Sequence, residues 1–135
     1  MDLLKFEIVT PAGTVHSEEV HMVTFPAVQG HIGVLPRHDP LMTQLVPGEM
    51  IIHTPTADRY VVVGEGLAEV AGDHVTILTD MAIPVEHIDE ARVEEARQRA
   101  EARLREKLSE EEMALVRASL ARSLAQLEVK RRHRA

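Results

Sequence analysis

The run IDEARVEEARQRA, Ile88 to Ala100, divides this chain into two mechanically different parts. Before it come short alternating segments broken by Gly and Pro. No Gly or Pro follows it. A chain with that junction predicts a compact β body, residues 1–84, presenting a helical part, residues 85–135, whose contacts carry the function.

In the body, LKFEIV alternates, with Leu4, Phe6 and Ile8 on one face and Lys5 and Glu7 on the other, as in a half-buried strand. Pro11-Ala12-Gly13 turns the chain. Glu19–Phe25 is read as one alternating run, with Val20, Met22 and Thr24 opposed to His21, Val23 and Phe25. Two Gly and two Pro in Gly30–Leu41 predict a sharp-cornered loop with a brief strand. Pro47-Gly48 suits a type II turn. YVVV, LAEVA and HVTILT are three further strands, and Gly72-Asp73 between the last two suits a two-residue hairpin loop. Strands this short and this closely spaced predict an antiparallel sandwich or flattened barrel.

Beyond Ile88 the pattern is helical. Asp89 is placed to cap the first helix. Ala91, Ala96, Ala100, Leu104 and Leu108 make a narrow stripe along it. Ser109 with Glu112 forms a capping box that opens a second helix. There Met113, Val116, Leu120, Leu124 and Leu127 step as a heptad-like seam. Two helices of about 20 residues with a short join predict an antiparallel hairpin. The small stripe predicts a weak latch between them, and a second helix able to leave the first and dock elsewhere.

Composition removes several functions. The chain has no Cys, so thiol chemistry and disulfides are excluded. It has no apolar run of membrane-spanning length and no N-terminal secretion pattern, so it reads as a soluble intracellular protein. The His residues show no HxH or HExxH spacing, and no metal site is expected. His38 and Asp39 have the chemistry of a base and its orienter, but no activated nucleophile lies near them. The pair reads as bonding its local backbone. Gly64-Glu65-Gly66 lacks the features of a phosphate loop and reads as a place where strands turn or bulge. Residues 1–84 hold 3 basic and 11 acidic side chains, whereas the stretch from Met113 holds 6 basic and 1 acidic. The basic tail reads either as a solvated terminus or as a stretch that seeks an acidic protein surface or phosphate. Nucleic acid is disfavoured, because no aromatic residues stand among the basic ones and the body repels a polyanion.

Four features in order, GHIGVLPRHDPL, the Pro47-Gly48 turn, VVVGEGLAEV with VTILTDMAI, and IDEARVEEAR, resemble the epsilon subunit family of F-type ATP synthase (delta in mitochondrial naming) along the whole chain. The resemblance implies a ten-stranded sandwich followed by a helical hairpin. It implies a non-catalytic rotor subunit of the F1 central stalk, bound to the gamma subunit and the c ring, coupling ion flow to ATP synthesis. The membrane would be met only through the complex, at the cytoplasmic face. It implies a hairpin that restrains ATP hydrolysis when its second helix rises along gamma toward the alpha and beta subunits, with Arg117, Arg122, Lys130, Arg131 and Arg132 facing acidic loops. No cofactor is required.

In some members a regulatory ATP holds the hairpin shut. The matching positions here are Ile88, Asp89, Arg92, Arg99 and Arg122. Gln126 and Ile83 depart from that pattern, standing where strong binders carry an arginine and a carboxylate. The other reading of the same residues is that Asp89 caps a helix while Arg92 and Arg99 pair with Glu94, Glu95 and Glu101 in solvent. Arg37 departs too, at a position that often holds Gly. The strand faces left over for gamma are expected at Val61–Val63 and in the Gly30–Leu41 loop. Against the rotor subunit stands a free-standing ATP-sensing module of the same fold. An enzyme built on His38 and Asp39 comes third.

Overall fold

The computed structural model describes residues 2–134. Ten strands come first: β1 Leu4–Thr10, β2 Gly13–Val20, β3 Met22–Ala27, β4 Gly30–Val34, β5 Leu41–Leu45, β6 Gly48–His53, β7 Asp58–Val63, β8 Gly66–Ala71, β9 His74–Thr79 and β10 Ala82–Pro84. A 3-10 turn, Val85–His87, leads into α1, Glu90–Arg103, and α2, Glu110–Arg132. The expected architecture of a β sandwich followed by a helical hairpin is what forms.

The strand order is β10-β7-β6-β3-β5-β8-β9-β1-β2, with β4 pairing β3. It falls into two five-stranded halves. β3 belongs to the first through β4 and β6 and is in register with the second only at Ala27 opposite Leu45. Leu4, Phe6 and Ile8 are all buried, as their alternation requires, and meet Val23, Phe25, Met50, Ile52, Val70, Val75 and Ile77 between the halves.

Four local expectations change. The sandwich is not wholly antiparallel: β1 lies parallel to β9, with Phe6 opposite Val75 and Ile8 opposite Ile77. Glu19–Phe25 is two strands rather than one. The chain bends at His21, so Val20 before the bend and Val23 and Phe25 after it all reach the core. Pro47-Gly48 is not a type II hairpin turn. β5 and β6 do not pair, and Gly48 is not in the left-handed region. A Cβ there would lie 3.2 Å from Cβ of Pro26, so glycine at this position serves a close crossing. The helices are unequal, 14 and 23 residues, or about 21 and 35 Å at ~1.5 Å per residue.

Gly72-Asp73 does join β8 to β9, with Gly72 at φ +60°. Gly66 brings β8 close to β9, since a Cβ on it would sit 1.8 Å from the carbonyl oxygen of Leu78.

Candidate functional site

The region of interest is where the hairpin lies on the sandwich, and it begins with two helix starts. Asp89 accepts hydrogen bonds from the amides of Ala91 and Arg92, at 3.1 and 3.3 Å. Ser109 and Glu112 exchange the reciprocal bonds of a capping box, at 3.1 and 3.3 Å. Free N–H groups at both helix origins are thereby satisfied by residues placed there for the purpose.

α1 and α2 meet through small and medium side chains. Ala100, Val116, Ser123 and Leu127 are buried, while Met113 and Leu120 are half-buried. Leu124 does not complete the expected seam and remains 47% exposed. Ion pairs close the two ends of the hairpin. Arg131 lies 3.3 Å from Glu90 and 3.6 Å from Glu94, Arg134 lies 2.9 Å from Glu90, and Arg103 lies 3.5 Å from Glu112.

The second helix also has a face that its heptad pattern hides. Ala125 and Val129 are buried with Val62, Met81, Val85 and Ile88, and Tyr60, Ile83 and Val93 pack at the edge. This small cluster is separate from the sandwich interior. β7 is accordingly buried on both sides: Val61 and Val63 face inward and Val62 faces the helix. Val61–Val63 is therefore not a surface left for a partner while the hairpin is docked, contrary to expectation.

Beside that apolar strip runs a line of polar contacts. Arg122 Nη1 lies 3.3 Å from Asp80 Oδ2. Gln126 Nε2 lies 3.3 Å from Met81 Sδ, and Lys130 Nζ donates to the Val85 carbonyl at 3.1 Å. His133 bonds Glu49 of β6 and packs at a tilt against Tyr60 of β7, with ring centroids 4.2 Å apart. Sequence reasoning noted Gln126 only as a departure and missed Asp80, Met81, Glu49 and Tyr60. Positions 122, 126 and 130 share a helix face at i, i+4, i+8, a signal that was present. Nothing in the sequence marks Glu49 as a partner of His133.

The nucleotide-pattern residues are dispersed over this assembly. Ile88 is buried in the small cluster and Asp89 is occupied as a cap. Arg122 is turned to Asp80. Arg92 and Arg99 are exposed, and no ion pair holds either one among the described residues. The solvated pairing expected for them belongs instead to Arg97. Arg97 takes Glu94 with a 3.0 Å bond from Nε and Glu101 at 2.6 Å. The hydrogen bond from Arg97 holds the Glu94 carboxyl below its usual range, and Glu94 in turn raises Arg97. Arg99 lines a groove of about 360 Å³ whose other walls are Ala96, Ala100, Arg103, Leu115, Val116 and Ser119. Ile83 offers packing where a carboxylate would offer charge.

Away from the hairpin, His38 Nδ1 bonds the Asp39 backbone carbonyl at 2.7 Å, the local contact expected of the pair. No cluster of potential metal ligands occurs among the described residues. Arg37 adopts φ 68°, held by its amide bonding Asp73 Oδ1 at 2.9 Å. On the outer surface of the second half, Leu67 stands opposite Leu78, and Leu78 opposite Val9. Gln44 and Met42 flank them on β5. Met42, Leu67 and Leu78 are 65, 44 and 41% exposed. Among the described residues, no helix is long and apolar enough to cross a membrane.

Comparison with known proteins agrees with this architecture. The family model described as "ATP synthase, Delta/Epsilon chain, beta-sandwich domain" matches residues 3–85, and "ATP synthase, Delta/Epsilon chain, long alpha-helix domain" matches 86–131. The ATP synthase epsilon chain of Herpetosiphon aurantiacus is 42% identical over 127 residues, 93% of each chain. That of Halorhodospira halophila is 41% identical over 130 residues, covering 94% of this chain and 92% of the relative. A chain in the structure of the Euglena gracilis mitochondrial ATP synthase, OSCP/F1/c-ring, superposes with TM-score 0.77 at 24% identity, covering 94% of this chain and 80% of that one. The chain belongs to the delta/epsilon family of ATP synthase, as an epsilon-type accessory subunit that is not itself catalytic.

Proposed function

We propose that this subunit is a rotor part of the F1 central stalk, and that its hairpin governs ATP hydrolysis. The sandwich binds gamma and the c ring and passes rotation between them, coupling ion flow to ATP synthesis. It meets the membrane only through the assembled synthase, at the cytoplasmic face. The observation that carries this reading is the difference between the two outer surfaces of the sandwich. One is covered by α2 through a strip only two of its side chains deep, Ala125 and Val129. The other leaves Met42, Leu67 and Leu78 uncovered. An exposed apolar face of that kind suits a stable partner, and it replaces Val61–Val63 as the candidate for gamma. The shallow strip suits a helix that leaves.

When α2 leaves, its basic stretch, with Arg117, Arg122, Lys130, Arg131 and Arg132, becomes free to meet acidic loops of the alpha and beta subunits. The deciding experiment is ATP hydrolysis by the assembled complex carrying either the full chain or a chain ending at Val85. We expect normal assembly and faster hydrolysis with the shortened chain. Equal rates would remove the regulatory role while leaving the rotor role.

Regulation by ATP is a further part of this reading. Arg92 and Arg99 carry charges that no acidic side chain among the described residues engages. Together with Arg122, released from Asp80, they would hold phosphate oxygens through charge-assisted bonds spanning both helices. Gln126 and Ile83 add no charge there. Calorimetric titration of ATP into the wild type, Arg92→Ala and Arg122→Ala measures this directly. Identical titrations for all three would remove the clamp. A free-standing ATP sensor is separated from the rotor subunit by co-purification with gamma, alpha and beta.

A further inference from the structure

We infer that the compact arrangement is held by a built-in latch, a single stripe of Arg122, Gln126 and Lys130 on α2 with His133 at its C-cap, which closes the hairpin without nucleotide. The steps between these residues are 4, 4 and 3, so the three helical side chains share one side of α2 and His133 continues that side at the cap. Their partners lie along one path on the body: Asp80 just after β9, Met81 before β10, the Val85 carbonyl at the 3-10 turn, and Glu49 on β6.

The energetics are those of a catch rather than a weld. The Arg122–Asp80 pair is open to water, with side chains 35 and 40% exposed, and pairs of that kind are individually weak. The apolar strip alongside is small. The last contact differs from the others. The Glu49 side chain is only 11% exposed, and His133 bonds it while packing at a tilt against Tyr60. With the tail docked, Glu49 has no other ion-pair partner among the described residues. A contact to a mostly covered carboxylate therefore stands at the free end of the helix, where fraying would otherwise begin. Arg131 and Arg134 reinforce that end by pairing with Glu90 of α1. The final turn thus ties sandwich, 3-10 turn and first helix together, and release of that turn exposes the remaining contacts in sequence.

The regulatory consequence rests on the function proposed above, but the latch is measurable without it. Hydrogen exchange is followed in the full chain, without nucleotide, for the wild type, His133→Ala, Asp80→Asn and the doubly substituted chain. Arg117→Ala, outside the stripe, is the control. We expect α2 amides to exchange roughly 5-fold faster in each single variant and faster still in the double, with strand amides and the control unchanged. Lys130→Met tests the stripe again without touching the sandwich. Unchanged α2 exchange in both His133→Ala and Lys130→Met would overturn the latch. Faster exchange with unaltered hydrolysis by the assembled complex would keep the latch and remove the regulatory reading.

Discussion

The backbone amide of Arg37 donates to Oδ1 of Asp73 at 2.9 Å, tying the loop after β4 to the turn between β8 and β9. The same Asp73 accepts the Lys5 amide through its carbonyl at 2.7 Å. One turn residue therefore anchors two separate segments, and it holds Arg37 in a left-handed conformation that side chains other than glycine adopt at a cost. Arg37→Gly should raise stability by about 1 kcal/mol in urea denaturation, because the Arg37–Asp2 pair that it loses is largely in solvent. A lower midpoint would show that this pair matters more than backbone relief.

Gly66→Ala should be far more damaging than its size suggests. The new methyl would meet the backbone carbonyl of Leu78, which cannot turn aside as a side chain can. A loss of about 2–4 kcal/mol is expected in the denaturation midpoint, with β8–β9 amides losing protection first. Gly13→Ala provides the comparison. Its site is sterically open, so it suffers only the strain of φ +114°.

His16 should make the sandwich acid-sensitive. Burial first, and the charge of Arg59 second, hold its imidazole below the ordinary 6.5. The folded chain therefore favours the neutral ring. That contribution is complete above pH 6.5 and is lost as pH falls through the folded value. An NMR titration of His16 should show a midpoint below 6.5, and His16→Gln should flatten stability over the same range. A midpoint at or above 6.5 contradicts the assignment.

The capping box should give α2 its own acid response. Glu112 is held below the ordinary 4.5, chiefly by the Ser109 backbone amide, then by the Ser109 hydroxyl, with Arg103 contributing less. Its support is present above pH 4.5 and fades as pH falls through the folded value. Amides of the first turn of α2 should exchange faster at pH 3 relative to intrinsic rates, and Glu112→Gln should remove that change. Ser109→Ala should cost about 1 kcal/mol of helix stability at neutral pH.

Leu67→Asp places a charge in the centre of the uncovered face beside Leu78 without entering the core. The isolated chain should keep its denaturation midpoint within about 0.5 kcal/mol, while co-purification with gamma should fall sharply. Retained co-purification would move the docking surface elsewhere.

Local chemistry was legible in the sequence where a residue acts on its immediate neighbours. Leu4, Phe6 and Ile8, the Gly72-Asp73 turn, the Asp89 cap and the Ser109–Glu112 box need only residues a few positions away. Expectations changed where a distant segment decides the outcome. Val62 looks like one of three equivalent valines until α2 covers it. Leu124 continues a regular seam, yet the helix turns Ala125 and Val129 toward the sandwich as well. A helix held on two sides cannot be read from one stripe. Gly48 carries a turn signal, but its neighbour across space is Pro26. In the hairpin, Arg92 and Arg99 have abundant acidic neighbours in sequence, and Arg97 captures two of them because it sits between Glu94 and Glu101.

The parallel pairing of β1 with β9 sets an order on how this molecule can be made. β1 is made before the other nine strands, and its parallel partner emerges more than sixty residues later. Until then, β2 is the one strand hydrogen-bonded to β1. Closure of the body thus waits on Val75 and Ile77, and synthesis of the hairpin follows directly behind. The platform is finished just as the helix that will rest on it begins to appear.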